Sequence, residues 1–237
     1  MPNKRPADRA SPPRRRFLAK LSLIPATSLA GAGVLTPLPA GAGSSASYAP
    51  SFFQPAEWAF LVAACDRLIP SDEVGPGAVE LGVPEFIDRH MQTPYASGAI
   101  WYMPGPFLDA PAEFGYQGRL ALREILRVGI AAIDAACRRR FGKDFASLAA
   151  ADQVAVLKAA ESGKLELPEI PEKTFFSYLL GEVRNGYFAD PSYGGNRDMG
   201  SWKMIGYPGM RADYIDWVGE RNKAYPLPPV DLSGRRG

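Results

Sequence analysis

From Tyr116 to Phe141 the chain carries apolar residues at helical spacing. Leu122, Leu126, Gly129, Ile133 and Cys137 recur about every four positions, flanked by Leu120, Ile125 and Ile130. Arg138, Arg139 and Arg140 close the run, where cations suit the negative end of the helix dipole. Gly142 follows as the predicted C-cap. A stripe of this kind must be covered by other helices, and the rest of the sequence supplies them. Gln54-Pro55-Ala56-Glu57 predicts a helix start, with Trp58, Leu61, Val62, Cys65, Leu68 and Ile69 on one face and Pro70 as the stop. Short helical pieces are predicted at Gly77–Leu81 and from Pro84 to Met91. Further helices are predicted from Asp152 to Gly163, over Pro171–Tyr187, and over Arg211–Asn222. No stretch alternates with the period of a strand. The expected class is all-α, an irregular helical bundle with long ordered loops rich in Gly, Pro and aromatic residues.

The net charge of +2 is the sum of two unlike parts. Residues 1–20 hold seven cations against Asp8, a net +6, which leaves −4 for the remainder. No charge occurs from Leu21 to Ala56, and Leu21–Leu38 is apolar but diluted with Ser, Thr, Gly and Pro. Ala40-Gly41-Ala42, or Ser44-Ser45-Ala46, then offers a small-residue cleavage site. Arg14-Arg15-Arg16-Phe17-Leu18 fits the twin-arginine pattern, so Arg14, Arg15, Phe17 and Leu18 are the expected export signal, read by the twin-arginine translocation machinery. Pro25, Gly31, Gly33, Pro37 and Pro39 argue against a stable membrane span. The expected division is residues 1–46 as signal and linker and residues 47–237 as one helical domain. The twin-arginine route carries folded proteins, so Cys65 and Cys137 are not a bond that folding needs beforehand. They are either small buried core residues or partners in a bond made after export, within the chain or to another subunit.

The residue list excludes much chemistry. Two cysteines without C-x-x-C-H leave no covalent haem site, and no dinucleotide or phosphate-loop motif is present. The single histidine, His90, removes most metal and triad arrangements, and reads as a surface or capping group. With no nucleophile, base or metal set, the expectation is no catalytic, cofactor-binding or metal residue on this chain. The acidic exported part argues against nucleic acid as a partner.

Asn185–Gly209 stands apart, with six glycines, turn signals at Asp190-Pro191, Gly194-Gly195-Asn196 and Tyr207-Pro208-Gly209, and rings at Tyr187, Phe188, Tyr193, Trp202 and Tyr207. It reads as a tightly folded loop, either closing the bundle's own core or presenting rings to a partner. The second reading makes Tyr187, Tyr193, Asn196, Trp202 and Tyr207 interface residues. The long loop Thr93–Glu113 adds Trp101 and Phe107 as a secondary set.

Gly186-Tyr187-Phe188, Asp190-Pro191, Tyr193-Gly194-Gly195-Asn196, Trp202 and Ile205-Gly206-Tyr207-Pro208-Gly209 resemble the signature of the gluconate 2-dehydrogenase subunit 3 family. Asp66-Arg67-Leu68-Ile69-Pro70, Gly75-Pro76-Gly77-Ala78 and Phe86-Ile87-Asp88 fit the same family, over residues 52–215 in all. The resemblance implies a non-catalytic small, or gamma, subunit of a periplasmic, membrane-associated sugar or sugar-acid dehydrogenase. Its partners would be a large FAD-containing flavoprotein of the glucose–methanol–choline type and a cytochrome c subunit. FAD and haem c would sit on those partners, and this chain would assist the flavoprotein's maturation and export. The alternatives on the residues alone are a stand-alone periplasmic binding or structural module, or an uncharacterised periplasmic enzyme.

Overall fold

A computed structural model describes residues 48–108, 111–165, 167–168 and 170–237. The export residues Arg14, Arg15, Phe17 and Leu18 lie outside the described residues. Among the described residues there are six α-helices and no strand. They are α1 Pro55–Leu68, α2 Val83–His90, α3 Leu122–Phe141, α4 Ala150–Ser162, α5 Glu172–Phe188 and α6 Gly200–Ile205. The protein is all-α, as its periodicity predicts.

The helix ends follow local chemistry. The Gln54 N–H donates to Glu57 at 2.8 Å, and the Ala121 N–H donates to Glu124 at 2.9 Å, so an acid in each first turn reaches back to the entering backbone. Gly142 ends α3 with φ of 68°, a left-handed conformation that glycine adopts without strain.

Helix α5 is central and packs against α2, α3 and α4. Phe60 of α1 meets Phe145 at 4.5 Å and Phe175 of α5 at 6.3 Å between centroids, all three fully buried. Gly129 makes this possible: a Cβ there would lie 1.9 Å from Cδ2 of Phe175. Both Cys65 and Cys137 are buried free thiols in this core.

Four sequence expectations are corrected. Gly77–Leu81 is a hydrogen-bonded turn, not a helical piece: Ala78 N–H bonds the Ile69 carbonyl, and Gly77 packs so close to Ser71 that a Cβ would meet its nitrogen at 2.6 Å. The long helix begins at Leu122 rather than Tyr116, because residues 116–120 wrap the Tyr116 ring, whose hydroxyl accepts from Leu120 N–H at 3.1 Å. Arg211–Asn222 yields only a 3-10 turn at Ile215–Trp217, since Ile215 and Val218 stay exposed and have no core to bury against. In turn α6 forms inside the segment read as a loop.

The segment that enters α1 is anchored to the bundle. Tyr48–Phe53 is tied to the fully buried Asp88 of α2. Its carboxylate accepts from Tyr48 OH at 2.7 Å, from Ser51 N–H and Oγ at 2.8 Å each, and from Phe52 and Phe53 N–H at 3.0 Å each. Burial alone would raise the Asp88 pKa, but these donors outweigh it and hold the carboxyl below its usual range.

Candidate functional site

The segment from Ala189 to Gly209 is organised by three buried side chains. Asp190 accepts from Ser192 N–H at 3.0 Å and from Leu232 N–H at 2.8 Å, pinning the C-terminal tail to the loop. Asn196 accepts from Ser201 N–H at 2.9 Å and Ser201 Oγ at 2.8 Å, and its amide donates to the Ala189 carbonyl at 2.9 Å. Trp202 donates its indole N–H to the Phe188 carbonyl at 3.0 Å. Together they close the loop over the end of α5.

The closure forces unusual backbone. Asn196, Asp198 and Met199 all have positive φ, at 45°, 54° and 58°. A left-handed methionine is uncommon, and this one is held by full burial of its side chain. Gly195 is required by contact: a Cβ would lie 2.2 Å from the Gly186 carbonyl oxygen of α5. Arg197 ties the loop to α2, donating to the Glu80 carbonyl at 3.1 Å and pairing with Glu85 at 3.0 Å.

The loop residues singled out by sequence separate into two groups. Tyr187, Asn196 and Trp202 are buried in this chain, and the Tyr187 hydroxyl donates to the Pro76 carbonyl at 2.8 Å. Their first task is therefore to build the loop. Tyr193 and Tyr207 are exposed, Tyr207 standing edge-on to Trp202 at 5.1 Å. Phe188, Ile205 and Met210, not picked out as interface residues from sequence, are exposed in the same region. Trp101 and Phe107 belong to a different place. Phe107 lines a cleft of about 620 Å³ with Leu108, Tyr116 and Pro171, at the start of α5.

Exposure is not spread evenly. Among the described residues, the large apolar side chains left in water lie almost wholly off the main helices, in residues 95–114 and 188–232. Of α1 to α5, only α5 adds one, Phe188 at its last position.

His90 is neither a surface group nor a cap. Its Nδ1 lies 2.6 Å from the buried Glu182 carboxylate, which also accepts from Asn185 at 3.1 Å, and its ring stacks on Tyr95 at 5.4 Å. Nothing in the residue order pointed to this pair, because His90 and Glu182 lie 92 positions apart. No group of three or more His, Cys, Asp or Glu is placed to hold a metal ion among the described residues. Nor is any described helix long and apolar enough to cross a membrane.

No curated protein and no solved structure matches the chain. The family model for gluconate 2-dehydrogenase subunit 3 does, over residues 55–209. Those limits are the first residue of α1 and the glycine that ends the aromatic loop, so the match takes in both the bundle and the loop that closes it. The chain belongs to the gluconate 2-dehydrogenase subunit 3 family.

Proposed function

We propose that this chain is a non-catalytic small subunit of a periplasmic, membrane-associated dehydrogenase complex, and that it docks on a large FAD-containing flavoprotein through the exposed rim of its aromatic loop. The observation that carries the reading is the unequal exposure. A bundle that covers the large apolar residues of α1 to α5 up to the last position of α5 leaves Phe188, Tyr193, Ile205, Tyr207 and Met210 exposed around a closed loop. Exposed apolar groups gathered in one region mark interaction surfaces. A loop already held by Asp190, Asn196 and Trp202 loses little further freedom when it binds. Lys203, Arg197 and Asp213 lie exposed among these side chains and supply a polar rim of the kind protein partners recognise.

Family membership supports the partner class: a glucose–methanol–choline-type flavoprotein carrying FAD, with a cytochrome c subunit carrying haem c. The reading places no cofactor on this chain. The twin-arginine pattern at Arg14-Arg15 supports export of the folded pair, with this chain bearing the signal and assisting the flavoprotein's maturation.

The test is co-expression with a large FAD-containing flavoprotein of the glucose–methanol–choline type from the same genome, followed by purification through a tag on this chain. Tyr193→Ala with Tyr207→Ala is expected to abolish co-purification while the melting temperature stays within about 4 °C of wild type, because Tyr193 is 60% exposed and Tyr207, 41% exposed, packs only by an edge contact with Trp202. Full retention of the flavoprotein by the double variant would overturn the docking assignment.

A further inference from the structure

We propose that the segment Tyr95–Leu108 is a membrane-interface anchor, whose apolar tip seats at the headgroup–acyl boundary of a phospholipid bilayer. The inference does not rest on the docking surface above, with which this segment shares no residue.

Charge comes first. Between His90 and Asp109 the sequence has no charged side chain, yet it contains Tyr95, Ile100, Trp101, Tyr102, Met103, Phe107 and Leu108. Ile100 is 68% exposed, Tyr102 91% and Leu108 70%. The stretch that follows α5 intersperses its exposed rings with Arg197, Lys203 and Asp213 along the chain, as protein-binding surfaces mix rings with charge. Residues 95–108 carry no charge of their own, and, among the described residues, the one charged side chain lining the cleft beside Phe107 and Leu108 is the cation Arg119, a partner for a headgroup phosphate. Trp and Tyr beside aliphatic groups, without charge, is the composition that settles at the boundary of a bilayer.

The root of the segment is rigid. Thr93 Oγ1 donates to the His90 carbonyl at 2.8 Å, and Ala96 N–H donates to Thr93 Oγ1 at 3.2 Å. Arg123 N–H at the start of α3 donates to the Ala96 carbonyl at 3.0 Å. Tyr95 stacks on His90, which the buried Glu182 holds, and Trp101 stands edge-on to Tyr95 at 4.9 Å. The single histidine thus finds a use: it fixes the angle at which the tip leaves the bundle. Beyond this root only side chains enter the lipid. Irregular backbone cannot cross into hydrocarbon without leaving its polar groups unpaired, so it stays at headgroup depth.

The test is tryptophan quenching in phosphatidylcholine vesicles that carry bromine at a shallow or a deep acyl position, with the full chain and its Trp101→Phe variant. The expected result is quenching by the shallow bromine that exceeds the deep one and disappears in Trp101→Phe. In a second variant, Ile100→Ser with Tyr102→Ser, the remaining Trp101 quenching is expected to fall by about tenfold or more, the scale set by withdrawing a large apolar side chain from a nonpolar surrounding. Trp58, Trp202 and Trp217 remain in every variant, so vesicle attachment through residues 1–20 leaves the difference signal at Trp101 unchanged. Quenching that is equal in the full chain and in Trp101→Phe, or Trp101 emission that responds to added flavoprotein subunit and not to vesicles, would overturn the proposal. The second of these outcomes would assign the tip to the protein partner.

Discussion

Replacing Trp202 with alanine separates a ring that builds the loop from a ring that binds a partner. The indole is 4% exposed, its N–H is bonded to the Phe188 carbonyl at 3.0 Å, and its ring supports Tyr207 at 5.1 Å. Truncating a buried Trp costs about 3–5 kcal/mol. The stranded Phe188 carbonyl adds about 1 kcal/mol where water does not reach it. Trp202 lies outside the main apolar cluster, at the loop's own small core, where water enters more readily after truncation. The lower figure, about 3 kcal/mol, is therefore expected. For a domain of this size that corresponds to a fall in Tm of roughly 6–12 °C. The assay is thermal unfolding of the isolated chain, followed by near-ultraviolet circular dichroism, with Tyr207→Ala as the control. Tyr207 is 41% exposed and its edge contact is worth about 1 kcal/mol, so its variant should melt within about 4 °C of wild type. A Trp202→Ala protein that melts within a degree or so of wild type, yet fails to hold the flavoprotein, would refute the structural assignment and return Trp202 to the interface.

Gly129→Ala is expected to lower stability by about 1–3 kcal/mol despite alanine's better helix propensity, because the new methyl would lie 1.9 Å from the fully buried Phe175 ring; chemical denaturation measures it, and a stabilised variant would contradict the packing. Asp88 has a lowered pKa in the folded state, so its contribution is present above the ordinary carboxylate pKa, near 4, and is lost as pH falls through the folded value. Asp88→Asn should therefore reduce Tm at pH 6 and shrink the loss of Tm between pH 6 and pH 3, whereas an unchanged acid slope would show that Asp88 is not the linked group. Both thiols are buried, and burial pushes Cys137 up to about 11 and Cys65 higher still, so neither should react with a thiol reagent at pH 8 until the chain unfolds. Rapid labelling of either in the native chain would show that the core opens locally there.

The class of this protein and its longest helices were legible in the residue order, because helical spacing and capping are local. The Leu122–Cys137 stripe, Pro55 and Glu57 at the start of α1, and Gly142 at a left-handed cap all depend on groups a few positions apart. The family signature was legible for the same reason, as a run of glycines and rings that folds on itself. What only the tertiary structure decided is which way each side chain turns. Trp202 and Tyr207 are five residues apart in one motif, yet the first is buried against the end of α5 and the second is left in water. Asp88 was legible only as part of the stretch Phe86-Ile87-Asp88, and its donors come from Tyr48–Phe53, 35 to 40 residues earlier. His90 acquired its role from Glu182, 92 positions away. The predicted helix over Arg211–Asn222 shrank to a turn, because amphipathic spacing makes a helix only where another surface takes up its apolar side. Local propensity acts along the chain, whereas burial and partner choice depend on which distant segments meet, and that is settled only when the whole bundle packs.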